Sequence, residues 1–413
     1  MYSHRLFLIL LATLALLSAC LPAGFPLRRE FVESKSVTNF TVVGEDIYFG
    51  AGYSIFKFNS SSRLITEIYR TDNARVEQPL LADGIIYFGG LDAFSKHGLR
   101  GENEGFFAYD LRTERLLWKF PLHEGYGTFG TFPVISEDRI LVCSRWHLHS
   151  IDRKSGKELW KVDNWMGSTG DTVILPYVFD NQVYFMVEEE HVAGTKKTDE
   201  NDGHWAEVNI ESGERSIFQV ADRPGTYEDS SGTGIGTLAD GVIYGNSRVD
   251  RFGALDLRAK KYLWEVPTDT LIKPVVQDGK IYLIRNEEIQ ALDQKTGKTL
   301  WAKPLDVFSN TIKSNSIDRR YEENYTRRVT SDGRFLIIQG SLAVGALELS
   351  TGKELWRKDL ASKSTSVAPI IMGSSTFVIS ENDCSIVQFD LPTGKEMSRT
   401  QIPDCSYYRM LDD

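Results

Sequence analysis

Ala291-Leu-Asp293-Gln-Lys-Thr296-Gly297-Lys298-Thr-Leu-Trp301 decides the fold, because its spacing recurs along the chain. Ala346, Glu348, Thr351, Gly352, Lys353 and Trp356 nearly reproduce it, and Ser150, Asp152, Ser155, Gly156, Lys157 and Trp160 give a third copy. Ala108, Asp110, Thr113 and Trp118 keep the ends, as do Ala254, Asp256 and Trp264; Asp390, Thr393, Gly394 and Lys395 keep the turn without the Trp. Asn59, and Asn209 with Ser212-Gly213, mark the two most degenerate units. The pattern is structural. An Asp or Asn that ends a strand hydrogen-bonds the turn it opens, Gly supplies positive φ there, and Ala leaves room for a neighbouring ring. Each Trp buries about 150–250 Å², several kcal/mol as an upper bound at ~25 cal/mol per Å².

About twenty residues or more before each copy stands a turn followed by alternating apolar residues, as in Asp83-Gly-Ile-Ile-Tyr-Phe, Asp240-Gly-Val-Ile-Tyr and Asp278-Gly-Lys-Ile-Tyr-Leu. Eight such hits, with no helical periodicity elsewhere, predict an all-β chain. Successive copies of this Asp or Asn position, Glu348 standing in it once, are 37 to 57 residues apart. That length holds four short strands, one blade of a propeller, and predicts an eight-bladed β-propeller of four-stranded antiparallel blades over residues 37–402. Three stretches interrupt the period, 93–105, 188–205 and 306–328, and long loops on a rigid scaffold are where binding concentrates.

The repeat resembles the pyrroloquinoline-quinone (PQQ) repeat family, whose eight-bladed propellers carry this eleven-residue tryptophan-docking motif. The resemblance implies the quinoprotein alcohol dehydrogenase-like fold, with Trp118, Trp160, Trp264, Trp301 and Trp356 as the girdle. A PQQ-dependent dehydrogenase of that family holds its cofactor in the axial cavity, with Ca²⁺ on Glu, Asn and Asp side chains, a catalytic Asp and a vicinal Cys-Cys pair. This sequence has no Cys-Cys, so no catalytic residue, metal or cofactor is expected, and PQQ with Ca²⁺ is the alternative.

The N-terminus runs from Met1 through an apolar stretch, Leu6 to Leu17, to Ser18-Ala19-Cys20. About a dozen apolar residues are too few for ~30 Å of hydrocarbon but suit a secretory signal. Leu17-Ser-Ala-Cys20 resembles the bacterial lipobox, which implies a signal peptide over 1–19, acylation of Cys20, a linker over 20–36 and a membrane-anchored chain. Leu21 in place of a retention Asp implies the outer membrane. A lipobox ahead of PQQ-like repeats resembles the BamB family of outer-membrane assembly lipoproteins, which implies a non-catalytic scaffold with protein partners in the bacterial envelope. That family's Leu-Arg-Gly-Glu segment is spelled at Leu99-Arg-Gly-Glu102, in the blade 2 insertion and not in a matching blade. A glycan- or small-molecule-binding sensory lipoprotein is a further alternative.

The net charge of -10 argues against nucleic acid as a partner, since counterion release needs clustered Lys and Arg. Within this acidic chain, Arg319-Arg320-Tyr321 and Tyr325-Thr-Arg327-Arg328 form the densest basic and aromatic cluster, the candidate partner-binding loop. The carboxylates and histidines of Glu188-Glu-Glu-His191 and Asp199-Glu-Asn-Asp-Gly-His204 lack calcium-loop spacing and read as a solvated hairpin. Export permits a disulfide, and Cys384 with Cys405 would clip the 403–413 tail down, while Cys143 reads as a small buried hydrophobe.

Overall fold

The computed structural model describes residues 37–71, 74–92, 105–122, 133–144, 147–163, 176–187, 204–220, 236–248, 251–268, 273–285, 288–304, 328–340, 343–360, 368–380 and 384–403. Among these residues, thirty-two strands form eight four-stranded sheets, each antiparallel and each built from consecutive strands. The eight blades are 37–70, 74–121, 134–163, 177–219, 236–267, 275–304, 328–359 and 370–401. Each predicted turn-and-strand element forms the second strand of a blade, and each Asp or Asn ends the third. The interruptions are shorter than their spacing suggested: Gly105, His204-Trp205 and Arg328 already belong to strands.

Eight hydrophobic clusters fill the eight seams between neighbouring blades. The last joins Ile47, Phe56 and Phe58 of blade 1 to Phe377, Ile379 and Ile386 of blade 8 and closes the ring. Closure is by side-chain packing. Among the described residues no strand is exchanged between the first and last blades, and the Phe58 and Phe377 rings meet edge to face with centroids 5.9 Å apart.

The repeat motif works across these seams. In blades 2, 3, 5, 6 and 7 the fourth-strand Trp stands opposite a small residue of the third strand: Ala108 with Trp118, Ser150 with Trp160, Ala254 with Trp264, Ala291 with Trp301 and Ala346 with Trp356. Its ring then lies on the turn of the next blade. A Cβ added to Gly156, Gly213, Gly297, Gly352 or Gly394 would come within 2.5 to 2.7 Å of Trp118, Trp160, Trp264, Trp301 or Trp356 respectively. Four of the indoles donate Nε1–H to the carbonyl that follows the next blade's Asp or Asn: Trp118 to Arg153, Trp160 to Ile210, Trp264 to Gln294 and Trp356 to Leu391. Trp301 Nε1 has no such partner among the described residues, and the turn beneath it opens with Glu348 where the others have Asp or Asn.

Blades 1, 4 and 8 lack the Trp, and two other positions change with it. The small residue becomes Lys57, Glu207 or Gln388. The turn of the following blade carries Glu114, Lys260 or Arg63 in place of Gly, at φ 54°, 51° and 60°. Positive φ is therefore kept at all eight turns, and Gly only where an indole covers it.

Candidate interaction face

Antiparallel blades send their connections out alternately at two ends. The links between first and second strands, and between third and fourth, leave from one face. Links between second and third strands, and from one blade to the next, leave from the other.

On the first face every connection is a tight turn. Asp83-Gly84, Asp240-Gly241 and Asp278-Gly279 have positive φ at both residues, the geometry that matches strand twist in two-residue hairpins. The motif Asp caps the other set: Asp152 Oδ1 accepts from Ser155 N at 2.7 Å and Asp293 Oδ1 from Thr296 N at 2.9 Å. The Ser155 and Thr296 hydroxyls and amides hold both carboxyls below the usual carboxylate range. Several charges on this face are paired between blades. Arg153 reaches Asp83 at 2.6 Å and donates to Glu137 O, Arg139 pairs with Glu211, and Arg258 lies 3.5 Å from Asp180.

All three long interruptions of the repeat are connections of the second face. Buried polar groups gather at the strand ends that face it, among them Ser54, Ser144, His149, Asn246, Gln339 and Ser385. His147 Nε2 is 3.3 Å from Asp163 in the same region. His149 Nδ1 lies 2.8 Å from Glu158 Oε1 and its Nε2 3.2 Å from Ser144 Oγ, the order of a serine–histidine–acid relay. Here the hydroxyl closes a turn: Ser144 Oγ accepts from His147 N at 3.1 Å and sits 3.2 Å from His147 O, and the side chain is buried. It presents no nucleophile. The sequence reading missed this cluster, although the alternation His147-x-His149 places both rings on one side of a strand.

A cavity of about 10 Å³ between blades 4 and 5, lined by Tyr177, Trp205, Asn246 and Tyr262, has room for one water molecule. Among the described residues no group of three or more His, Cys, Asp and Glu could hold a metal ion, and no helix is long and apolar enough to cross a membrane. Burial pushes the free Cys143 thiol up to about 12, as a small buried hydrophobe requires. Cys384 is in a disulfide. Cys20, Cys405 and the loop residues Arg319, Arg320, Tyr321, Tyr325 and Arg327 lie outside the described residues. Arg328 opens the first strand of blade 7, paired with Gln339.

Comparison with known proteins places these features in a lineage. The family profile described as outer membrane protein assembly factor BamB matches residues 103–216, 208–321 and 285–401. The outer membrane protein assembly factor BamB of Yersinia pestis is 32% identical over 117 residues, 27% of this chain and 30% of that protein. The chain thus aligns with less than a third of that relative's length. The crystal structure of BamB from Moraxella catarrhalis superposes with a TM-score of 0.56 at 14% identity, covering 84% of this chain and 96% of that one. The quinohemoprotein alcohol dehydrogenase of Comamonas testosteroni gives 0.53 at 15%, covering 80% and 67%. At these identities the two structures share the fold and nothing finer.

Proposed function

From the premise that the chain belongs to the outer membrane protein assembly factor BamB family, we propose that it is a non-catalytic, lipid-anchored scaffold for outer-membrane protein assembly. The supporting observation is the division of labour between its faces. One face is closed by tight turns and inter-blade ion pairs; the other gathers every long connection. In this reading a protein partner docks on the second face, with Arg319, Arg320, Tyr321, Tyr325, Arg327 and Arg328 as its anchors, because Arg and Tyr dominate interface energetics. Acylated Cys20 holds the propeller at the periplasmic side of the outer membrane, and Cys405 is the partner of Cys384, fastening the tail beside blade 8.

A pull-down from solubilised envelopes tests the proposal. The expected result is recovery of a barrel-assembly subunit by the native chain and its loss from Arg320→Ala/Tyr321→Ala, with the propeller still folded. Failure to recover any such subunit overturns the assembly role. Dye-linked alcohol oxidation on adding PQQ and Ca²⁺ would replace the scaffold with the quinoprotein alternative.

A further inference from the structure

The outermost strands carry a feature that neither blade packing nor the protein-docking face explains. In six blades the ladder between third and fourth strands slips by one residue just before the Trp position, leaving a bulge residue: Leu117, Leu159, Leu263, Leu300, Leu355 and Met397. All six are large and apolar, yet 41% to 50% exposed. A bulge needs only an extra residue, so its geometry does not call for Leu. Two positions earlier stands a basic residue each time, the exposed Arg115, Lys157, Lys261, Lys298, Lys353 and Lys395. Four of the six, Lys157, Lys298, Lys353 and Lys395, close the turn that leads into the strand. Blades 1 and 4 have neither member: Leu64 and Thr66 stand there in blade 1, whose ladder slips two residues later at Ile68, and Glu214 and Ser216 in blade 4, whose ladder runs without a slip.

Charge follows the same rim. In blades 5–8 the third-to-fourth-strand turns and fourth strands, residues 257–267, 294–304, 349–359 and 391–401, hold eleven Lys and Arg against four Asp and Glu; Arg258 and Lys260 are taken up by Asp180 and Glu207 of blade 4, which leaves a net +5 within a chain of net -10. These four blades are adjacent, and residues 294–304 of blade 6 contain three Lys and no acid.

We infer that this rim, centred on blades 6 and 7, is a docking surface for an anionic phospholipid bilayer. Basic side chains interspersed with exposed Leu are the combination by which proteins lie on such surfaces: the Leu enter the headgroup boundary while the Lys meet lipid phosphates. The bulges argue against the other occupant an edge strand attracts, since a slipped ladder interrupts pairing with an added strand. Contact through this rim leaves the second face open, so the inference stands apart from the assembly role.

Co-sedimentation of the full chain carrying Cys20→Ser, so that no acyl chain contributes, is the test. Vesicles of phosphatidylethanolamine with phosphatidylglycerol should retain it, and phosphatidylcholine vesicles should not. Retention should fall with salt as the Debye length shortens. Lys298→Gln/Lys353→Gln should weaken it by about fivefold per lysine, and Leu300→Ser/Leu355→Ser by a similar factor, whereas Ile217→Ser in blade 4, whose residues 210–219 hold one Arg against two Glu, should leave it unchanged. The four side chains are exposed, so melting temperatures should match the parent. Absence of binding to anionic vesicles overturns the inference, as does an equal loss from Ile217→Ser or self-association of the chain in place of lipid binding.

Discussion

Two kinds of seam hold this ring together. Five seams, 2/3, 3/4, 5/6, 6/7 and 7/8, use one device: a small residue, an indole opposite it, and a glycine turn under the indole in the next blade. The three others, 8/1, 1/2 and 4/5, have lost all three parts together and each improvises. At seam 1/2 Tyr69 and Tyr109 pack with ring centroids 4.8 Å apart, and Tyr109 Oη donates to Ile68 O. At seam 4/5 Lys260, in the glycine position, reaches back to Glu207 at 2.6 Å and lies 4.6 Å from the Phe218 ring centroid. Burial works against the Glu207 charge, but the Lys260 ammonium and Tyr184 hydroxyl outweigh it and hold its carboxyl below the usual range. At seam 8/1 aromatic packing of Phe58 on Phe377 is joined by buried Ile402 beyond the last strand. Glycine is thus placed by the indole above it. The left-handed backbone alone is met by Arg63, Glu114 and Lys260 at a cost of order 1 kcal/mol.

Breaking that device should give the largest effects. Trp356→Ala removes a buried ring and is expected to cost about 3–5 kcal/mol, read from urea unfolding midpoints. Gly394→Ala in the native background forces a Cβ to within 2.5 Å of the Trp356 ring and is expected to cost about 2–4 kcal/mol. Combined with Trp356→Ala, the same glycine change should cost only about 1 kcal/mol, the residual left-handed strain. Contacting residues are expected to show such coupling. Additive losses in the double mutant would mean that φ, not the indole, places the glycine.

Much of this was legible in the sequence because each part of the device is a residue type with one geometric use. Asp293, Gly297 and Trp301 name a cap, a turn and an inter-blade ring, and eight repeats of the spacing leave little but a closed ring to build. Ala291 was legible as space for a ring, and the strand pairing supplies which ring: the Trp directly opposite. What the sequence did not announce was the pairing of losses, because Lys57, Glu207 and Gln388 look unrelated until each is set beside the missing Trp and the next blade's Glu114, Lys260 or Arg63 respectively. The relay Ser144, His149 and Glu158 was hidden for a similar reason. Its members come from three different segments, a turn and two strands, and no fixed spacing joins them. The interaction face is legible only through topology, since an insertion at 188–205 and one at 306–328 share a face solely because strands alternate in direction.

A finer comparison lies inside the five indole seams. Trp356 Nε1 donates to Leu391 O at 2.6 Å, while Trp301 Nε1 has no partner among the described residues. Phe at either position keeps most of the ring and removes the N–H. Trp356→Phe should therefore lose the hydrogen bond as well and destabilise by about 1 kcal/mol more than Trp301→Phe. Equal midpoints for the two variants would show that the Glu348 turn satisfies Trp301 after all.

The smallest expected effect separates the caps. Blades 3 and 6 cap their turns with Asp152 and Asp293, blades 1 and 4 with Asn59 and Asn209, and the geometry is the same: Asn209 Oδ1 accepts from Ser212 N at 2.9 Å. Only the Asp caps titrate. Their folded pKa values are lowered, so what they contribute is present above the unfolded Asp value of about 3.9 and is lost as pH falls through the lowered folded values. Asp293→Asn should leave the melting temperature unchanged at neutral pH and make its decline shallower below about pH 4. Asn59→Asp, the reverse exchange at an improvised seam, loses the bond that Asn59 Nδ2 donates to Asp46 Oδ1 at 2.8 Å and sets two carboxylates together, so it should lower the melting temperature at neutral pH and flatten the decline. An acid limb indifferent to both exchanges would mean that the turn caps are energetically alike in the two kinds of seam and that the difference between them lies wholly in the indole and what it covers.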